Sequence, residues 1–209
     1  MAPFFNQDQA MKELLMIFVR NPERGKVKTR LAKDIGDDRA LRVYEKLLEK
    51  TLLETQHGGY HKWLFYSEKV TAKDLWGAEY VKKVQDPRPD LGMKMLKAFE
   101  EGFRAGYQRI CIIGSDCYEL TQKDTEEAFL ALRGHDFVIG PANDGGYYLL
   151  GMNVLNQSVF SNKEWSSDTV FHSTIADLKA QKTTYLALRE LTDIDTIEDL
   201  KKFPELMNC

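Results

Sequence analysis

Short runs of uninterrupted apolar residues, separated by longer stretches of mixed polarity, organise this chain. Residues 14–19 and 110–113 are apolar without alternation, the pattern of strands covered on both faces. Further short runs at 63–66, 80–84, 137–139, 147–150 and 184–188 are each bounded by Gly, Pro, Asp or charged residues and read as strands. Between them the period changes. Ala40, Leu41, Val43, Tyr44, Leu47, Leu48 and Leu52 recur at helical spacing behind Asp37-Asp38, whose negative charge favours a helix N-terminus. Helices are also predicted over 91–105, over 123–132 (entered through Thr121 with Asp124 three residues on), over 169–181 and over 196–202. Strands that alternate with helices predict an α/β protein whose mainly parallel sheet carries helices on both faces. No Pro/Gly/Ser-rich linker interrupts residues 1–209, so a single domain is expected.

Composition narrows the partners. The chain has 209 residues with 43% hydrophobic content, enough for a substantial core. A formal net charge of -3 argues against nucleic acid, because binding a phosphate backbone needs an extended basic surface. A small molecule is the expected partner. Cys111, Cys117 and Cys209 show no metal-type spacing and form no even framework, which predicts reduced thiols in a cytoplasm; Cys111 is expected to pack in a strand. Residues 14–19 are too few to span a membrane, and no export segment is recognised, so a soluble, unexported protein is expected. His57, His61, His135 and His172 occupy no evident general-base position and read as surface residues.

Candidate chemistry begins where the first strand ends. Arg20-Asn21-Pro22 breaks the strand, Gly25 allows a turn, and Lys26, Lys28 and Arg30 follow. Such a bend sets backbone N–H groups and cations at a strand's carboxyl end, where open α/β sheets bind nucleotides, although a basic surface turn would carry the same residues. It is not a P-loop: Gly25-Lys26 is followed by Val27, and Arg20 stands where the first glycine belongs. Nor does a Gly-x-Gly-x-x-Gly fingerprint follow the first strand. The run 110–113 ends in Gly114-Ser115-Asp116-Cys117, which puts a carboxylate at a second strand end beside small residues. Asp116 is therefore a candidate Mg or Mn ligand, or else a turn cap. Asn143-Asp144-Gly145-Gly146, followed by Tyr147-Tyr148, reads as a hairpin or loop, and its acid and aromatic faces also suit a polar acceptor. In Asp193-Ile194-Asp195-Thr196, Asp195 or Thr196 caps a helix with Glu198 or Asp199 three residues on. Capping does not explain both acids, which leaves one of them for a metal. Trp165 precedes the helix predicted from 169 and is either a packing anchor or a stacking platform for a sugar or base.

These segments together resemble one family. Arg20-Asn21-Pro22 through Gly25 to Lys28-Thr29-Arg30-Leu31, Gly114-Ser115-Asp116-Cys117, Gly140-Pro141-Ala142 with Asp144-Gly145-Gly146-Tyr147-Tyr148-Leu149, Trp165-Ser166 and Asp193-Ile194-Asp195-Thr196 look like the glycosyltransferase-like family DUF2064. That family lies in the nucleotide-diphospho-sugar transferase superfamily, and the resemblance spans about 14–200. It implies a single-domain, Rossmann-like GT-A fold that binds a nucleotide or nucleotide-sugar donor through a divalent cation, Mg or Mn. It also implies roles. Lys28 and Arg30 would contact phosphates, with Arg20, Gly25, Thr29 and Ser115 completing the nucleotide side. Asp116 would ligate the metal and Asp195 would supply a second carboxylate; Asp144, Gly145, Gly146, Tyr147 and Trp165 would face a small-molecule acceptor. Arg20 stands where many members have Lys, and Tyr118 where many have Pro; neither departure removes a phosphate or metal ligand.

The expected activity is metal-assisted displacement at a nucleotide, with Lys28, Arg30 and Asp144 in the catalytic set. Attack at the α-phosphorus would transfer a nucleotidyl group and release pyrophosphate. Attack at an anomeric carbon would transfer a glycosyl group and release a nucleoside diphosphate. The alternatives are a nucleotide-sugar binding module without turnover and a triphosphate hydrolase; phosphoryl transfer can proceed without a strong general base, so the histidines do not decide among them.

Overall fold

The computed structural model describes residues 13–71, 73–165, 167–207 and 209. Its strands are β1 (Glu13–Val19), β2 (His61–Tyr66), β3 (Tyr80–Val84), β4 (Arg109–Ile113), β5 (Phe137–Pro141), β6 (Tyr147–Met152) and β7 (Tyr185–Ala187). They form one 7-stranded sheet in the order β3-β2-β1-β4-β6-β5-β7. β1 to β4 run parallel, as do β5 and β7, while β6 lies antiparallel between β4 and β5. Every predicted strand is present, and the mixed, mainly parallel α/β architecture stands.

The helices are α1 (Thr29–Ile35), α2 (Asp37–Thr55), α3 (Leu91–Arg104), α4 (Gln122–Ala131), α5 (Val170–Ala180) and α6 (Ile197–Leu200). The β1 side chains show why the sheet is covered twice. Leu15, Ile17 and Val19 enter a core with Leu31 of α1, Val43, Tyr44 and Leu47 of α2, and Phe129 of α4. Leu14 and Met16 enter the opposite core with Met95 and Phe99 of α3 and Leu178 of α5. Leu14, Leu15, Met16 and Ile17 are all 0% exposed, and burial of such side chains stabilises by about 1.5–3 kcal/mol each. The uninterrupted apolar run is thus the central strand, needed by both cores.

Two helices differ from the sequence reading. α1 was not predicted: the basic bend runs directly into a seven-residue helix, with Lys28 as its left-handed cap residue (φ 48, ψ 43). Its period is masked because it carries a single fully buried apolar residue, Leu31, between charged ones. α6 stops at Leu200, short of 202, because Phe203-Pro204 turns the chain into a short 3-10 helix, Pro204–Leu206.

The segment Asn143-Asp144-Gly145-Gly146 connects β5 to β6 as a tight hairpin turn, in which Ala142 N–H donates to the Gly146 carbonyl at 3.1 Å. Gly145 has φ +87, and a Cβ there would fall 2.1 Å from the Asp168 carbonyl oxygen. Its own carbonyl accepts from Phe171 N–H at 2.9 Å, so this turn seats the start of α5. Gly134 has nothing within 4 Å of a built Cβ. Gly145→Ala is therefore expected to lose at least about 2 kcal/mol, from the left-handed backbone plus displacement of the 168 backbone. That corresponds to a melting point lower by roughly 4–8 °C, against less than about 2 °C for Gly134→Ala. Equal effects in thermal melts would show that the turn does not need Gly145.

Candidate functional site

Three chain segments meet beyond the carboxyl ends of β1 and β4, and the Lys28 side chain joins them. The left-handed backbone at Lys28 turns its side chain inward, leaving it 4% exposed. Its Nζ lies 2.6 Å from Asp116 Oδ1 and 3.0 Å from Asp195 Oδ1. Burial alone would lower the Lys28 pKa, but the two carboxylates outweigh it and hold the amine above its ordinary value, so it stays an ammonium. Asp116 and Asp195 keep 43% of their side chains open to solvent on the outer side. Arg30 stands at the rim, 63% exposed, with Nη1 3.9 Å from Asp195 Oδ2. Arg20, Gly25 and Thr29 are exposed around the same bend, while Ser115 is buried beside Asp116.

Main-chain bonds hold the acids in place. Ile194 N–H donates to the Asp116 carbonyl at 3.0 Å, and Cys117 forms a bridge with Asp193, which ties 191–195 to the end of β4. Thr196 caps α6, its hydroxyl accepting from Asp199 N–H, and the Asp199 carboxylate accepts the N–H groups of Thr196 and Asp195. The cap is therefore Thr196, and both Asp193 and Asp195 are left available. The basic bend is fixed with equal care. The Asn21 carboxamide accepts from Glu68 N–H at 3.0 Å and donates to the Lys69 carbonyl at 2.8 Å, joining the loops after β1 and β2. Lys26 pairs with Glu23 and Glu68, and Arg24 with Asp38, so those two cations are spent at the surface.

Tyr44 braces two of the segments at once. Its hydroxyl accepts from Arg20 N–H at 2.8 Å and lies 3.2 Å from both the Arg20 carbonyl and the Ser115 hydroxyl. Burial, then the Asp116 charge, pushes this phenol up to about 12, so it stays neutral. Sequence reasoning placed Tyr44 only in the apolar stripe of α2, and nothing in that stripe signals its polar end. Asp193 was weighed only as a partner of Asp195. Burial first, then the nearby Asp116 carboxylate, with Asp144 and Asp195 adding to it, pushes Asp193 up to about 7 against the lowering influence of Lys28.

Acidic charge thus exceeds the cations buried with it. Among the described residues no group of three or more His, Cys, Asp or Glu side chains is disposed to hold a metal. What the site offers is a pair of hard carboxylate donors converging on one cationic position, open to solvent on one side. Mg and Mn are commonly held by one or two carboxylates together with phosphate oxygens and water, and this donor set fits that mode.

The expected acceptor loop sits at the start of β6. The Asp144 carboxylate accepts from Gly146 N–H at 2.9 Å and is otherwise exposed. Tyr147 meets Trp165 edge-on at 6.4 Å, and its hydroxyl is buried without a hydrogen-bond partner among the described residues. The Trp165 indole packs on α3 so closely that a Cβ at Gly92 would lie 2.5 Å from it. Trp165 thus packs on α3 with part of its surface open; Ser166, quoted beside it in the family pattern, lies outside the described residues. Tyr118 packs edge-on against Phe203 at 5.5 Å, partly buried against the α2-side core.

Residues 51–167 match the model of a family described as "Uncharacterized protein conserved in bacteria (DUF2064)". Among solved structures, a candidate nucleotide-diphospho-sugar transferase from Desulfovibrio desulfuricans G20 is similar at 30% identity and TM-score 0.84, over 91% of this chain and 85% of that one. The inositol-1-phosphate CTP transferase from T. maritima shares the fold at 16% identity and TM-score 0.54, covering 95% and 96% of the two chains. Rv0371c from Mycobacterium tuberculosis H37Rv, solved in complex with manganese, shares it at 14% identity and TM-score 0.53, covering 93% and 99%. No curated protein matches the chain.

The raised Asp193 carboxyl carries a pH signature. In the folded chain it keeps its proton up to about 7, whereas its ordinary value is 3.8. Between these values the native state binds more protons than the unfolded state, so stability falls as pH rises through that window. Even one unit of such a shift is worth about 1.4 kcal/mol, or roughly 3–6 °C for a chain of this length. In buffer with chelator, Asp193→Asn is expected to melt at least that much above the wild type at pH 8. The gain should shrink towards zero by about pH 4, and a gain independent of pH would show that Asp193 titrates normally.

Proposed function

The chain belongs to the DUF2064 family, and from that premise we propose that it is a metal-dependent transferase moving a glycosyl or nucleotidyl group from a nucleotide donor to a small-molecule acceptor. The observation that carries this reading is the convergence of Asp116 and Asp195 on the buried Lys28 ammonium, beyond the carboxyl ends of adjacent parallel strands. Open α/β sheets place their ligands at that edge. The fold shared with a CTP transferase and with a manganese-binding protein supports it.

Each residue has work suited to its position. Arg20 and Arg30 are exposed cations on either side of the bend and would bind donor phosphate oxygens, with Gly25, Thr29 and Ser115 lining the same side. Asp116 and Asp195 would hold Mg or Mn, which when bound neutralises charge developing on phosphate oxygens. Lys28 supplies a positive charge from a buried position, where such a charge counts for more than at the surface. Asp144 with Gly145 and Gly146 would receive the acceptor beside Tyr147 and Trp165, the acid accepting a hydrogen bond from it.

A ligand at a hundred times its dissociation constant stabilises the fold by about 2.7 kcal/mol, a rise in melting point of roughly 5–11 °C for this chain. Such a rise is expected with at least one nucleoside triphosphate or nucleotide sugar in the presence of Mn or Mg, but not with the free nucleoside. Asp116→Asn, nearly isosteric, leaves Asp195 as the partner of Lys28, so it is expected to fold with a lower melting point and to lose the metal-dependent part of the rise. No shift across a full panel of donors would overturn the reading. Pyrophosphate or nucleoside diphosphate released in the presence of an acceptor then assigns nucleotidyl or glycosyl transfer.

Arg30→Ala removes an exposed cation and should leave the fold intact. Loss of a charge-assisted bond worth about 1.5–3 kcal/mol would weaken di- or triphosphate binding roughly ten- to a hundredfold. Nucleoside binding should change little. Equal weakening of both in titration calorimetry would show that Arg30 shapes the pocket without touching phosphate.

A further inference from the structure

We propose that the Lys28 ammonium is the resident counter-ion of the Asp116–Asp195 pair, that a divalent cation must displace it, and that the ion therefore loads together with a phosphate-bearing ligand. The inference rests on the metal-binding assignment made above and concerns the regulation of that same site.

The Lys28 ammonium already occupies the point where one oxygen from each of these carboxylates converges. Lys28 Nζ is within 3.0 Å of an oxygen from each, so a metal that takes both oxygens competes with the ammonium for the same position. Sharing is unfavourable. Like charges this close repel more strongly in a buried site than in water, and a divalent ion doubles the repulsion. The ammonium cannot simply be left behind either. Its side chain is 4% exposed, and a buried charge without a partner is among the costliest states a protein can hold.

Backbone strain points the same way. Lys28 is a non-glycine residue in the left-handed region (φ 48), an unfavourable conformation that persists only where surrounding contacts hold it. The two ion pairs are among those contacts, beside the bond from Ala32 N–H to the Lys28 carbonyl at 2.8 Å. Withdrawing the carboxylates removes the side-chain part of that support, unless another anion takes the ammonium. Phosphate oxygens have the right charge and hydrogen-bonding capacity, and Arg30 marks the solvent side from which they would arrive. Arg30 does not substitute for Lys28, since it reaches only one of the two acids, at 3.9 Å and in solvent.

Metal alone then binds weakly, because it has to strip a buried ammonium of both partners. A phosphate-bearing ligand relieves that penalty, and by linkage the metal improves phosphate binding by the same factor. Asp116 and Asp195 retain their pull on the incoming ion throughout.

The test uses the full chain and Mn2+ alone, read by electron paramagnetic resonance of the free ion, with no nucleotide present. Lys28→Met removes the charge and keeps most of the stem; it is expected to bind Mn2+ at least tenfold more tightly than the wild type. Lys28→Arg restores the charge and should return binding to the weak wild-type level. A Lys28→Met protein that binds Mn2+ no better than the wild type would overturn the proposal. If Lys28→Met does not fold, the wild type decides through amine-reactive labelling read by mass spectrometry. Saturating Mg2+ should raise labelling of Lys28 several-fold over its protected state while the exposed lysines are unchanged, and unchanged Lys28 labelling would overturn the proposal. Both arms omit nucleotide, so they stand apart from the donor panel: a null panel with tightened Mn2+ binding removes the transferase reading and keeps the counter-ion.

Discussion

One buried ammonium sets the terms for the rest of the molecule. Lys28 lies at the junction of the basic bend and α1, yet its charge is met by Asp116 from the end of β4 and by Asp195 from the segment before α6. A charge withdrawn from water must be met, and these partners come from positions 88 and 167 residues away in sequence. Their approach requires β1 and β4 to be neighbours and the 191–195 segment to cross both strand ends, which the sheet order and the Cys117–Asp193 bridge provide.

The surrounding contacts read as a brace for that junction. Tyr44 reaches from α2 to both Arg20 and Ser115, so one buried phenol fixes the start of the basic bend relative to the acid-bearing loop. Asn21 fastens the same bend to the loop after β2. Each residue satisfies several polar groups with one side chain, an economical way to hold loops that carry more charge than a core tolerates. The mobile part of the chemistry would then be confined to the Lys28 side chain and the exposed arginines.

Negative charge in excess of its local counter-ions is the site's other property. Asp193 shows it most directly: its carboxyl is held up near 7 by burial and by the acids around it. Such a site is poorly satisfied by its own residues and is improved by an added cation, which connects the strain in the folded chain to the proposed activity. The Gly145 turn and the packing of Trp165 on Gly92 form a stiffer wall beside it, with the buried Tyr147 hydroxyl behind.

The α/β architecture, every strand and the five segments that carry the family pattern were legible along the chain. These are local: apolar runs, helical periods and turn residues act through neighbours a few positions away. The basic bend with Lys28 and Arg30, Asp116, and the pair Asp193 and Asp195 also stood out, because charged residues next to strand ends contrast with apolar runs, while the choice of Asp195 came from the family resemblance. Tertiary structure alone decided what those charges do to one another. The pairing of Lys28 with both acids, the release of Asp193 and Asp195 from capping by Thr196, and the bracing by Tyr44 depend on which strand ends lie side by side. The α1 helix escaped notice because one buried leucine makes no period, and the packing of Trp165 was hidden because only the fold brings Gly92 beneath it. Electrostatic interactions reach across several ångströms of space whatever the separation along the chain, so their partners become legible only once the chain has folded.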